Sequence, residues 1–322
     1  MAETDNIARM AELLATEIFP LFYWDKIGPM NENWTCYNPL HEKKTHPSDI
    51  VFTYKEPYNS FRSYLNCDLK SYAKNSITPG SIRTAINNLA LSVQCAQISA
   101  EWQKKYMHHS DNYNIFGLLF IYNHDGEYDS NFDNLLTLAL TEDVTIPQNV
   151  RIFVLGPSDI CYLNTVITDL KVLRGDKKIA DKEHCSFYYP DLVNKRANSL
   201  ISNLPGTIEV LTSPYQVIKY TVENISEMLI YYRRTGSSED EFLFLFDYLF
   251  HYQQLQTNRK IVISLPYPDK NAPANFEHAK VRYCMDRDNA DSIQEILHKV
   301  EYRTVTNVNR QFSTTEIGMR YE

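Results

Sequence analysis

The sequence predicts an α/β protein in which a mixed sheet flanked by helices is followed by a smaller α+β module. Three features predict it. Strand-like and helix-like stretches alternate from residue 49 to about residue 173, the rhythm of a sheet with helices on both faces. GLLFIYN (117–123) and RIFVL (151–155) are unbroken apolar runs, as expected of strands buried on both faces. Beyond residue 206 the rhythm changes to a split β-α-β-β-α-β order.

Each element follows from its own signals. Residues 3–19 have helical spacing through Ile7, Met10, Leu13, Leu14 and Ile18, and Pro20 closes that helix. Residues 24–47, polar with Trp24, Trp34, Tyr37 and three prolines, read as an irregular approach to the sheet. DIVFTY (49–54) reads as a strand and RSYLNCDLKSYA (62–73) as its hairpin partner. Thr78 is placed to cap a helix with Pro79 at its first position, and Ile82, Ile86, Leu89, Val93, Ala96 and Ile98 carry that helix to about Tyr106. Helices over 131–140 and about 158–173 accompany the two buried strands.

The charged stretch RGDKKIADKEH and the closing NLPG mark a connecting segment, which divides the chain into 1–175, 176–206 and 207–322. In the last part MLIYYRR (228–234), KIVISLPY (260–267) and HAKVRYCM (278–285) read as strands. Residues 237–256, with an acidic start, and 289–301 read as helices, and the tail from about Thr304 to Tyr321 as extended. This is the order of a ferredoxin-like module.

Composition narrows the function. The net charge of −8 argues against a non-specific nucleic-acid coating protein, though it leaves room for a local basic strip. Glycine is scarce, and neither Gly-x-Gly-x-x-Gly nor Gly-x4-Gly-Lys-Ser/Thr occurs, which argues against a glycine-loop nucleotide site. The acidic start MAETDNIARMAELLATEIF lacks the features of a signal peptide, and no apolar run is long enough to span a membrane, so a cytoplasmic protein is expected. The six cysteines are scattered without a Cys-x-x-Cys pair and predict free thiols and no zinc site. His108-His109 and His124-Asp125 read as loop residues.

One triplet stands out. Asp68-Leu69-Lys70 ends an apolar strand, and alternation puts Asp68 and Lys70 on one face with Leu69 directed to the core. Acid-x-Lys also occurs at Glu42-Lys44, Asp169-Lys171 and Asp176-Lys178, but these fall in a polar loop, a helix and a charged stretch. Only Asp68-Lys70 lies late on an apolar strand behind a second, acid-led strand starting at Asp49. Alone the triplet reads as a surface salt bridge; with Asp49 it has the residue types of a metal-dependent site.

The pattern resembles the PD-(D/E)XK nuclease superfamily, with its restriction-endonuclease-like fold. Asp49 follows Pro47-Ser48, so the "PD" is broken by one residue, and Asp68-Leu69-Lys70 fills the second part. The helix before, the long helix after and the apolar strands match the family core over roughly residues 1–175. The resemblance implies that Asp49 and Asp68 hold Mg²⁺ (or Mn²⁺), and that Lys70 orients or deprotonates water or stabilises charge on phosphate. It implies a further acid on the first helix, Glu17 in preference to Glu12, and a glutamine on the helix after the lysine, Gln94 or Gln97. Lys74, Arg62 and Lys55 become candidate phosphate contacts, with Lys43, Lys44 and His46 ahead of Asp49. The same resemblance implies DNA as substrate, a partner ATPase or sensor protein, a homo-oligomer, and a place in a bacterial anti-phage or restriction-type system. Two rivals stand beside it: a non-catalytic scaffold of the same fold, and a nucleotide- or RNA-binding sensor acting through Tyr231, Tyr232, Arg233 and Arg234 of the C-terminal module.

Overall fold

The computed structural model describes residues 2–109, 112–141, 143–190, 203–222, 225–287 and 291–309. The chain divides into two compact units, one taking in Met1–Glu56 and Ser60–Asn164, the other Pro57–Asn59 and Thr165–Val308.

In the first unit, α1 (Ala2–Leu21) buries Met10, Ala11, Leu14, Ala15 and Ile18, a stripe at helical spacing. After β1 (Asp25–Ile27) come β2 (Glu32–Thr35) and β3 (Thr45–Ser48), an antiparallel two-stranded ribbon. The sequence predicts irregular chain here, because four-residue strands with few apolar residues are too short to show a period and β3 contains Pro47. The hairpin follows as expected, from β4 (Ile50–Lys55) and β5 (Phe61–Tyr72), in a register pairing Ile50 with Cys67 and Lys55 with Arg62.

Thr78 and Ser81 cap α2 (Pro79–Ala96) reciprocally: the Ser81 amide donates to Thr78 Oγ1 and the Thr78 amide to Ser81 Oγ. The long helix expected to reach Tyr106 is broken after Ala96, because Ser99 Oγ accepts from the Trp102 amide and starts α3 (Ala100–Tyr106). β6 (Asn112–Asn123), α4 (Phe132–Leu140) and β7 (Ile152–Leu155) complete the series, and α5 (Pro157–Gly175) begins in this unit and ends in the second. The sheet order is β1-β4-β5-β6-β7, antiparallel at the first two pairings and parallel at the last two.

Side-chain alternation gives this sheet two distinct faces. Phe52 and Phe120 meet Phe19 of α1 edge-on, at ring centroid distances of 5.0 and 6.1 Å. Tyr64 and Val51 share the opposite apolar core with α2 and α3, and Asn66 Nδ2 donates to Ser92 Oγ of α2 at 3.0 Å. On β6, Gly117 lets α2 approach: an added Cβ would lie 2.9 Å from Leu89 Cγ and 2.5 Å from Ile152 Cδ1.

The second unit contains β8 (Cys185–Phe187), α6 (Ile208–Thr212), β9 (Tyr215–Val222), β10 (Ile225–Tyr232), α7 (Glu239–His251), β11 (Arg259–Leu265), α8 (Ala272–Met285), α9 (Asp291–His298) and β12 (Val300–Thr304). It is a second sheet domain, but the split ferredoxin-like order does not hold. β9 and β10 form an antiparallel hairpin, and β11 and β12 then add in parallel. HAKVRYCM is the end of α8: its apolar alternation imitates a strand, yet Phe276, Ala279 and Tyr283 are buried at helical spacing while Val281 and Met285 face out. The order β8-β9-β10-β11-β12 repeats the pairing directions of the first sheet, antiparallel twice and then parallel twice. The tail beyond residue 309 lies outside the described residues. Among the described residues no helix is long and apolar enough to cross a membrane.

Candidate active site

The β4–β5 register builds the site. Asp49 stands in the bend between β3 and β4, one step beyond the Ile50–Cys67 pair, and so opposite Asp68. Three backbone contacts hold it: its amide donates to the Cys67 carbonyl (3.3 Å), its carbonyl accepts from Asn31 (2.9 Å), and the Leu69 amide donates to its Oδ2 at 2.7 Å. Ser48, just before it, is fixed from both sides, its Oγ accepting from Trp34 Nε1 (3.0 Å) and Trp102 Nε1 (3.1 Å). Asp68 and Lys70 share the face of β5 that α2 covers further along, and Lys70 Nζ lies 2.6 Å from Asp68 Oδ1. Leu69 is half-buried rather than in the core, since β4 has ended opposite it.

Burial raises the Asp49 carboxyl to about 6, and the negative charge of Asp68 pushes the same way against the Leu69 amide and Lys70. Burial alone would lower Lys70, but Asp68 and Asp49 outweigh it and hold the ammonium above its ordinary value. Tyr72, next along the same face, is raised by burial. Asp49 therefore resists ionisation beside Asp68, and an all-oxygen donor set of this kind fits a hard divalent cation such as Mg²⁺ or Mn²⁺.

The other expected residues are placed differently. Glu17 is half-buried on α1, which packs on the opposite face of the sheet, and Glu12 of the same helix accepts from Asn31 Nδ2 at 2.8 Å. Lys74, just past β5, is at the correct end of the strand, but its Nζ lies 2.8 Å from Asp129 and its amide donates to Asp125. Arg62 is 6% exposed, which takes it out of the surface available to phosphate. Lys55 is exposed but pairs with Arg62 near the hairpin tip, roughly 20 Å along the strands from the acids. Gln94 is engaged elsewhere, its Oε1 lying 2.9 Å from His41 Nε2.

Two features escape sequence reasoning. Asp125, Glu127 and Asp129, after β6, surround Lys74 and make this rim acidic. His41, His46 and Cys95, all buried, meet the half-buried Cys36 in one cluster. The even spacing Cys36-x4-His41-x4-His46 is visible in the chain, but the fourth member is far away on α2.

A mixed sheet of this order, with helices on both faces and two acids and a lysine at the open end of its hairpin, defines a restriction-endonuclease-like domain. Residues 1–159 match the family model described as the GAPS4 protein PD-(D/E)XK nuclease domain, and the N-terminal half of the chain belongs to that nuclease family. No curated protein and no solved structure matches the chain.

Proposed function

We propose that the protein is a metal-dependent nuclease of the GAPS4 type that hydrolyses DNA phosphodiester bonds as the effector of a bacterial anti-phage or restriction-type system. The observation that carries this reading is the meeting of Asp49, Asp68 and Lys70 at the open end of the hairpin, inside the segment that matches a nuclease family. Asp49 and Asp68 would hold Mg²⁺ or Mn²⁺. A divalent cation there supplies charge neutralisation at the phosphate and acidifies water. Lys70, held as an ammonium by Asp68 in the metal-free site, would place positive charge beside the phosphate and orient the attacking water. Glu17 would join only by reaching past the sheet edge from α1.

The second unit supports a single centre per chain. Its hairpin opens at the Tyr215–Tyr232 pair, and the flanking residues are Pro214 and Arg233, with no carboxylate at either position. The acidic rim around Lys74 favours delivery of DNA by a partner ATPase or sensor, or by a homo-oligomer, over unaided capture.

Cleavage of supercoiled plasmid with Mg²⁺ or Mn²⁺ tests the reading, beside an RNA substrate and with Asp68→Ala and Lys70→Ala as controls. Metal-dependent nicking lost in both variants and stopped by EDTA is expected. Cleavage surviving both substitutions overturns the site. RNA cut in preference to DNA overturns the substrate. Intact plasmid even with the partner genes expressed leaves the scaffold reading.

A further inference from the structure

The Cys36–His41–His46–Cys95 cluster lies apart from the acid pair and has the donor set of a tetrahedral metal site. Cys36 comes just after β2, His41 from the short turn at Pro39–His41, His46 from β3 and Cys95 from the last turn of α2. Their ligand atoms all lie within 4.8 Å of one another. Cys95 Sγ to Cys36 Sγ is 3.8 Å, Cys36 Sγ to His41 Nδ1 is 3.5 Å, and His41 Nδ1 to His46 Nε2 is 3.2 Å.

A zinc ion with ordinary Zn–S and Zn–N bonds sets its ligands about 3.8 Å apart for two sulfurs, about 3.6 Å for sulfur and nitrogen and about 3.3 Å for two nitrogens. The three edges given above match these values. Hydrogen bonding holds the sulfur side of the cluster only weakly, because thiols are weak donors and weak acceptors.

The surroundings supply the outer contacts of such a site. The Tyr37 amide donates to Cys95 Sγ at 3.2 Å, as backbone amides do to a bound thiolate. The far nitrogen of His41, Nε2, lies 2.9 Å from Gln94 Oε1 and 3.0 Å from Asn38 Nδ2; the glutamine oxygen provides the acceptor that a ligating histidine needs for its N–H. His46 is 1% exposed and Cys95 0%, and four protein ligands leave no open position, which marks a structural rather than a catalytic centre.

We propose that Cys36, His41, His46 and Cys95 bind one structural zinc ion, which pins the β2–β3 ribbon to α2. The ribbon leads directly into Asp49, so this clamp sets where the first acid of the candidate active site stands.

The full-length protein, purified without chelator, is assayed for zinc by elemental analysis, and cobalt is exchanged in to read its visible absorption. About one zinc per chain is expected, with the intense d–d bands of tetrahedral cobalt bearing two thiolates. Asp68→Asn keeps the zinc, His46→Ala loses it, and His46→Cys, which preserves four ligands, retains it. Gln94→Ala weakens zinc binding about tenfold with all four ligands intact. Wild-type protein that neither contains zinc nor takes up cobalt under reducing conditions overturns the proposal, as does zinc lost with Asp68→Asn but kept with His46→Ala. A Cys36–Cys95 disulfide, seen by mass spectrometry in metal-free folded protein, also overturns it.

Discussion

The Leu69 amide donates to Asp49 Oδ2 over 2.7 Å, so the residue between the acid and the lysine of the triplet holds the other acid in place. The x of Asp68-x-Lys70 thus acts through its backbone. Asp49 cannot turn away from Asp68 without breaking this bond, and the repulsion between the two carboxylates is built into the fold.

That repulsion makes the protein's response to pH predictable. Asp49 is raised from an ordinary 3.8 to about 6, so the stability it contributes is fully present below 3.8 and is lost as pH rises through about 6. Without metal, the melting temperature falls across that window, and Asp49→Asn removes the fall. The thermal shift produced by Mn²⁺ follows the opposite course, growing as pH rises through about 6 because the cation needs the ionised pair. Asp68→Asn removes a negative neighbour and moves that midpoint down.

Lys70→Met should lower plasmid cleavage about 10²–10³-fold, the usual cost of removing one preorganised charge stabiliser. The Mn²⁺ thermal shift persists, because Lys70 is not a ligand, but its pH midpoint moves up, since Lys70 now holds Asp49 down. Loss of the thermal shift itself would assign Lys70 to the metal site instead.

Lys74→Ala should change cleavage by less than about fivefold. Its charge is already matched by Asp129 on an exposed surface, where solvent screens such pairs. Asp129→Ala frees that charge and should strengthen DNA binding, measured by the salt dependence of the dissociation constant.

In the second unit Asp169 is buried and accepts from Tyr231 Oη at 2.6 Å and from both terminal nitrogens of Arg303. Asp169→Ala leaves the Arg303 guanidinium without its counter-ion and should destabilise the unit by about 3–5 kcal/mol, read from urea unfolding by circular dichroism.

What could be read in the chain followed the strength of the local signal. The hairpin and the face shared by Asp68 and Lys70 were legible because a long apolar strand fixes its own alternation, and the Thr78 cap because its partners are neighbours. The end of α8 imitates a strand because Ala279, Val281, Tyr283 and Met285 fit both periods over so short a stretch, and only burial separates them. The repeated strand directions of the two sheets leave no residue-level trace, since pairing direction is set by connections rather than by side-chain identity. Arg62 and Gln94 looked available as phosphate and substrate contacts because a sequence does not show burial or a distant partner such as His41.

All three tryptophans, Trp24, Trp34 and Trp102, are buried in the first unit, and the second relies on tyrosine and phenylalanine. Their fluorescence is therefore a built-in optical label for one half of the molecule. Trp34 and Trp102 both bond to Ser48, between His46 and Asp49, so their emission is sensitive to the segment that carries the first acid. A red shift in emission that precedes the loss of far-ultraviolet ellipticity would time the opening of the candidate active site while the other half is still folded.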